Sequence, residues 1–176
     1  MLIAALCVMP AGLAMPRAQQ VASAQTIPEV HSTLLSGQAV DLPQALLGRS
    51  GVLVVGFSQA SRPAVTLWGR RLAAEYAGSN RVLYFEMPML GAVPRLLRGI
   101  VRSKIKDGVP ERAWTHFLPV TSDENPWKSA VHFANADDAY VLVVDSHGVV
   151  RTMVTGDATD ANLGVVQNEV AELLSR

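Results

Sequence analysis

Apolar and polar positions alternate along this chain in two different rhythms, and the switch between them predicts the elements. Val52–Phe57 is a continuous apolar run, which reads as a strand covered on both faces. After it, Val65, Trp68, Leu72 and Tyr76 recur at helical spacing, predicting a helix over Pro63–Ala77 that lays this stripe on the sheet. Pro63 suits its first turn, where a missing N–H costs nothing, and Gly78-Ser79-Asn80 ends it. Arg81–Met87 reads as the next strand, Ala92–Lys106 as a second helix and His116–Val120 as a short extended piece. Asn125–Phe133 is a short helix with Asn125 as its cap and Pro126 in its first position. Tyr140–Asp145 is another buried strand, followed by a turn at Asp145–Gly148 in which Gly148 supplies positive φ, and a returning strand over Val149–Val154. Asp160 is placed to cap a last helix whose Leu163, Val166, Val170 and Leu173 form one stripe. Upstream, Gln25–Leu35 reads as a polar entry segment. Gln38–Leu42 alternates as a short strand, and Pro43–Leu47 forms one helical turn ended by Gly48.

Strands alternating with helices predict a mostly parallel sheet between helical layers, and the final hairpin makes that sheet mixed. The fold class expected is α/β: a three-layer sandwich with a central mixed sheet and helices on both faces. This order resembles the thioredoxin-like arrangement in its longer, exported form.

The ends alter the picture. MLIAALCVMPAGLAMP is almost wholly apolar, and Ala22-Ser23-Ala24 follows as a small-x-small site. This is the pattern of a secretory signal peptide over residues 1–24, leaving one domain over residues 25–176. Leu6 precedes Cys7, which argues against a lipoprotein signal. An exported protein, periplasmic or on the extracytoplasmic face of the membrane, is expected. Lys+Arg and Asp+Glu number 15 each over the chain, so no global charge draws it to nucleic acid.

The candidate chemistry begins with an absence. Where thioredoxin-like proteins carry a reactive Cys pair or a single Cys, between the first buried strand and its helix, this chain has Ser58, Ser61, Arg62 and Pro63. The chain's one cysteine is Cys7. A thiolate is the nucleophile of thiol–disulfide exchange, so these four positions read as a degenerate thioredoxin site. The cis-Pro expected just before Tyr140–Asp145 is also missing, since that stretch reads Ala136-Asp137-Asp138-Ala139. A Ser nucleophile would need a partnered base, and His31, His116, His132 and His147 lie far off in sequence. Those histidines are spaced too widely for metal ligation. No catalytic residue, metal or cofactor is expected, and the protein is expected not to be an enzyme.

The one patterned surface is on the second helix. At about 100° per residue, Arg95, Arg98, Arg102 and Lys106 fall in one arc, with Val93, Leu97, Ile100 and Val101 on the opposite side to pack on the sheet. Lys104 breaks the pattern. No acid lies between Met87 and Lys106 to neutralise the arc, so it is the expected contact for an anionic membrane surface or an acidic client segment.

Several blocks resemble the assembly factors for the membrane sector of mitochondrial ATP synthase, the ATP-ten type. The stretch from Val54 to Trp68, with Trp68 in the first long helix, resembles the start of that family. His116-Phe117-Leu118 is similar to its "yFl" block, YVLVVDSHGVVR over Tyr140–Arg151 to its "YvyLvD-x-x-grIR" block, and Gly156-Asp157-Ala158 to its "G-x-A" turn. The resemblance spans about Val52 to Leu174; Thr152 stands where the family tends to have Trp. It implies a non-catalytic helper or chaperone that binds a protein client, possibly a membrane-protein subunit. The alternatives are an exported enzyme of non-thiol chemistry, using Ser58 or Ser61 with a histidine brought near by folding, and a structural interaction domain of an envelope complex.

Overall fold

The central strand is β3 (Ser50–Gly56), every residue of which is buried. Its side chains alternate between two apolar layers, as a pleated strand requires. Val52 and Val54 point to one cluster and Leu53 and Val55 to the other. The computed structural model describes residues 25–176; the signal segment expected over 1–24, with Cys7, lies outside the described residues.

Around β3 stands a four-stranded sheet in the order β4-β3-β5-β6, with β4 (Val82–Pro88), β5 (Ala139–Val144) and β6 (Val150–Thr155). β3 pairs with β4 in parallel and with β5 antiparallel, and β5 with β6 antiparallel. The sheet is mixed as expected, but of its named pairs only β3–β4 is parallel. The reason is that the chain re-enters the sheet from the far end after the short helix Asn125–Ala130 and then closes by the tight turn at Gly148, whose φ is +77°.

Helices α1 (Arg62–Tyr76) and α4 (Asp160–Leu174) cover one face. Val65, Trp68 and Leu72 of α1 and Val166 and Val170 of α4 bury there against Val52, Val54, Val141 and Val143. The Trp68 indole N–H donates to the Gly156 carbonyl at 2.9 Å and ties α1 to the end of β6. The other face is covered by a two-stranded antiparallel sheet and by α3 (Asn125–Ala130), whose Trp127 packs on Leu53, Val55 and their neighbours. That small sheet joins β1 (Val30–Thr33) and β2 (Ala39–Leu42). The polar spacing of Gln25–Leu35 hid β1, of whose residues Val30 alone is fully buried.

Two caps differ from expectation. Thr159, not Asp160, caps α4: its side chain accepts the Asn162 N–H at 3.2 Å. Asn125 is the first residue inside α3, with Glu124 as the residue before it. A larger difference concerns α2 (Arg95–Gly108), which has no buried residue. The apolar side expected to lie on the sheet does not, because β3 and its neighbours are already covered on both faces by other elements.

Candidate functional site

Gly56 ends β3 and lets the chain turn sharply into α1. A Cβ there would stand 2.7 Å from the Ser61 hydroxyl and 2.8 Å from a Val65 methyl, so only glycine permits the first turn of α1 to rest on the strand end. Ser58 follows. Its Oγ accepts the backbone N–H groups of Ala60 at 3.0 Å and Ser61 at 3.2 Å, and donates to Asp137 Oδ1 at 3.0 Å. The Ser61 hydroxyl is buried and donates back to the Ser58 carbonyl at 2.9 Å. Ser58 therefore organises the start of α1 by side-chain-to-backbone bonds. It also joins that start to the loop before β5.

The second loop is built by Tyr140. Its hydroxyl accepts the N–H groups of Ala134 and Asn135, each at 2.9 Å, and donates to the Asn135 carbonyl at 2.9 Å. This three-bond knot fixes the approach of Asp137 to Ser58. Beside it stand two half-buried aromatic rings, Phe57 and Phe133, edge to face at 5.0 Å. Phe57 leans on Tyr140 at 5.8 Å. Lys128 Nζ lies 5.4 Å from the Phe133 centroid, within cation–π range, and is paired with Glu124 at 3.0 Å. The site is thus a polar seat, Ser58–Asp137, flanked by a partly open aromatic pair and one cation. The aromatic pair was not singled out in the sequence, although Phe57 closes the apolar run Val52–Phe57.

Arg62 and Pro63 open α1 at the rim, both exposed. Arg62 reaches toward the Gly108 carbonyl at 3.5 Å, linking the start of α1 to the end of α2. None of the four histidines hydrogen-bonds to the Ser58 or Ser61 hydroxyl among the described residues. His31 pairs with Asp41 at 2.8 Å, and His147 lies 3.3 Å from the Ser146 hydroxyl. His116 stacks on Tyr84 at 3.9 Å with its ring nitrogen 3.2 Å from the Tyr84 carbonyl. Burial lowers the His116 pKa, a shift partly offset by that carbonyl. The serine-enzyme alternative fails on this geometry, because a hydroxyl without a base is a weak nucleophile. Asp137 does not supply the role, since the Ser58 oxygen already accepts two backbone N–H groups there.

One titratable group escaped the sequence reading. Glu86, on β4, is buried beneath Gly69 of α1, and burial raises its pKa from 4.5 to about 7, with Arg70 nearby pulling it down. The signal was present as a lone acid in the apolar strand RVLYFEM. Glu86 pairs in register with Val54, four residues short of Ser58. That is on the order of 13 Å along the strand, too far for it to act on a group bound at Ser58.

The basic arc is differently disposed from its expected role. Arg98 donates to the carbonyls of Val93 at 2.9 Å and Gly91 at 3.1 Å. Arg102 donates to those of Thr33 at 3.0 Å and Leu34 at 2.7 Å. Lys106 stands 4.2 Å over the Trp114 ring, and Arg95 is exposed. Arg102 thus ties α2 to the body of the protein, and Arg98 and Lys106 brace the segments on either side of the helix.

A four-stranded mixed sheet with α1 and α4 on one face, α3 on the other and a site at the β3–α1 junction matches many solved structures. This is the thioredoxin-like fold. The exposed lipoprotein thioredoxin Etrx1 of Streptococcus pneumoniae aligns with a TM-score of 0.58 at 12% identity, over 81% of this chain and 99% of its own. The thiol:disulfide interchange protein DsbE of Chlorobium tepidum aligns at 0.59 and 14%, over 85% and 96%. StoA of Bacillus subtilis aligns at 0.54 and 11%, over 80% and 96%. At such identities the likeness is one of fold. No protein-family model and no curated protein matches the sequence. The resemblance to ATP synthase assembly factors is overturned: the structures aligned with this chain include, by name, a thioredoxin and a thiol:disulfide interchange protein. In this structure those blocks are the buried strand running up to Asp145, the turn at Gly148 and the Gly156 carbonyl that receives the Trp68 N–H. The assembly-helper function expected from that resemblance falls with it.

Proposed function

We propose that this chain serves extracytoplasmic thiol–disulfide chemistry as a thioredoxin-fold partner whose β3–α1 end holds a cysteine-bearing polypeptide. The thiols belong to the bound polypeptide. Residues 25–176 contain no cysteine, so no mixed disulfide forms from this end and the complex is non-covalent. The observation that carries the reading is the Ser58–Asp137 hydrogen bond at 3.0 Å beside the open Phe57–Phe133 pair. A hydroxyl occupies the place where this fold carries its reactive sulfur, and both loops that shape the surrounding surface are held in place. An aromatic pair of this kind contributes contact area at little entropic cost to a bound segment. The thiol:disulfide interchange role in the name of the similar DsbE supports the substrate class. The apolar leader read in residues 1–24 and the exposed lipoprotein among those structures support the location.

The test is to restore a sulfur. Ser58→Cys, in a Cys7→Ser background, is expected to trap a reduced, unfolded cysteine-bearing polypeptide as a mixed disulfide after mild oxidation. Adding Phe57→Ala and Phe133→Ala is expected to lower the yield about tenfold, the weight of a small aromatic contact patch. Trapping no better than by an exposed control, Ser79→Cys, overturns the reading.

A further inference from the structure

Helix α2 is mounted with Leu96, Leu97 and Ile100 outward, while Val101 and Ile105 are half-buried. Arg98 and Arg102 lie on its inner arc: Arg98 bonds the carbonyls of Gly91 and Val93 in the segment leading into the helix, and Arg102 those of Thr33 and Leu34 in the body. This leaves Leu96 94% exposed, Ile100 57% and Leu97 49%. Leu96 and Ile100 are one turn apart and form a ridge together with Leu97. Of the exposed charges, Lys104 follows the ridge one turn beyond Ile100 and Arg95 opens the helix at the edge of the inner arc, with the acid Asp107 in the last turn. The ridge is an unpartnered surface, and the charges around it select what can cover it. Along its length α2 carries Arg95, Arg98, Arg102, Lys104 and Lys106 against the single acid Asp107. A second copy laid on α2 would bring two such sets together, so self-association is opposed. Of the long helices, α2 combines the greatest segregation of apolar and charged sides with a low overall hydropathy, which is the mark of a helix lying in a lipid interface.

We propose that α2 docks on an anionic phospholipid surface, with Leu96, Leu97 and Ile100 dipping into the interface and Arg95 and Lys104 paired with headgroup phosphates. Insertion is shallow: among the described residues no helix is long and apolar enough to cross a membrane. The geometry is a one-sided contact, with cations at the level of the headgroups and aliphatic tips below it. This is independent of any polypeptide held at Ser58.

The experiment uses the full-length chain with Cys7→Ser and Leu96→Cys, labelled at position 96 with an environment-sensitive fluorophore. Because residues 1–16 are themselves apolar, the readout is local to α2. Mixed phosphatidylglycerol–phosphatidylcholine vesicles are expected to shift the emission to the blue, an effect that rising salt weakens. Phosphatidylcholine alone is expected to leave it unchanged, as is a label placed at exposed Leu47. Leu96→Glu with Ile100→Glu is expected to weaken the salt-sensitive partition onto the anionic vesicles about tenfold or more. Its circular dichroism and Tm should stay unaltered, since both side chains are exposed. No blue shift, an equal shift with neutral vesicles, a concentration-dependent shift without vesicles, or a double variant that partitions like the parent would each overturn the proposal.

Discussion

Gly69 of α1 lies directly over the carboxyl of Glu86 on β4, where any Cβ would collide with the carboxylate oxygens. The glycine opens a slot in an otherwise apolar interface, and an acid fills it. A buried carboxyl of this kind is destabilising when charged, because desolvation disfavours the ion more than Arg70 favours it.

That relationship makes stability depend on pH in a definite direction. Folded Glu86 holds its proton to about pH 7, whereas the ordinary value is 4.5. Between those two values the folded state binds one proton more than the unfolded state, so stability falls as pH rises. The contribution is complete below pH 4.5 and lost above about 7, a change of about 3 kcal/mol. Glu86→Gln should flatten this part of the profile and make the protein more stable than the parent at pH 8. Urea midpoints taken from pH 4 to 8 check it; parallel profiles for parent and variant would contradict it.

Trp68 is expected to be the most sensitive polar anchor of the core. Its indole is fully buried and its N–H is bonded to the Gly156 carbonyl. Trp68→Phe removes the donor, leaves that carbonyl without it and opens a gap. The expected loss is about 2–4 kcal/mol, measured by denaturant unfolding of the otherwise unchanged chain. A loss under about 0.5 kcal/mol would mean that the tie carries no weight.

Ser58 should matter to local order before it matters to anything bound. Ser58→Ala deletes the acceptor for two backbone N–H groups and the donor to Asp137. A loss of about 1–2 kcal/mol is expected, as for other helix-start hydroxyls. Hydrogen exchange should quicken at Ala60 and Ser61 while the β3 amides stay protected. Exchange at Ala60 and Ser61 that is the same in parent and variant would show that Ser58 has no organising role.

Much of the fold was legible because its strongest signals are local. The all-apolar run of β3, the Val65–Trp68–Leu72 stripe and the Gly148 turn each follow from covalent geometry and burial within a few residues. β1 was not legible: its polar Ser32 is satisfied by the Pro119 carbonyl, a partner far away in sequence. α2 misled for a related reason. Amphipathic spacing says that a helix has an apolar side, but not which side meets the protein. Here the carbonyls of Gly91 and Val93 and of Thr33 and Leu34 drew the arginines inward. At the site, the missing thiol was plain from Ser58, Ser61 and Arg62. The Ser58–Asp137 contact was not, because it spans 79 residues of chain. Glu86 was visible only as an oddity until Gly69 was placed above it.

The central claim is that the β3–α1 end still receives a cysteine-bearing polypeptide although a hydroxyl stands in the sulfur's place. The most direct measurement is the mixed-disulfide yield of Ser58→Cys, in the Cys7→Ser background, with a reduced unfolded polypeptide. The account predicts trapping well above Ser79→Cys that depends on Phe57 and Phe133; equal yields from the two cysteines would contradict it.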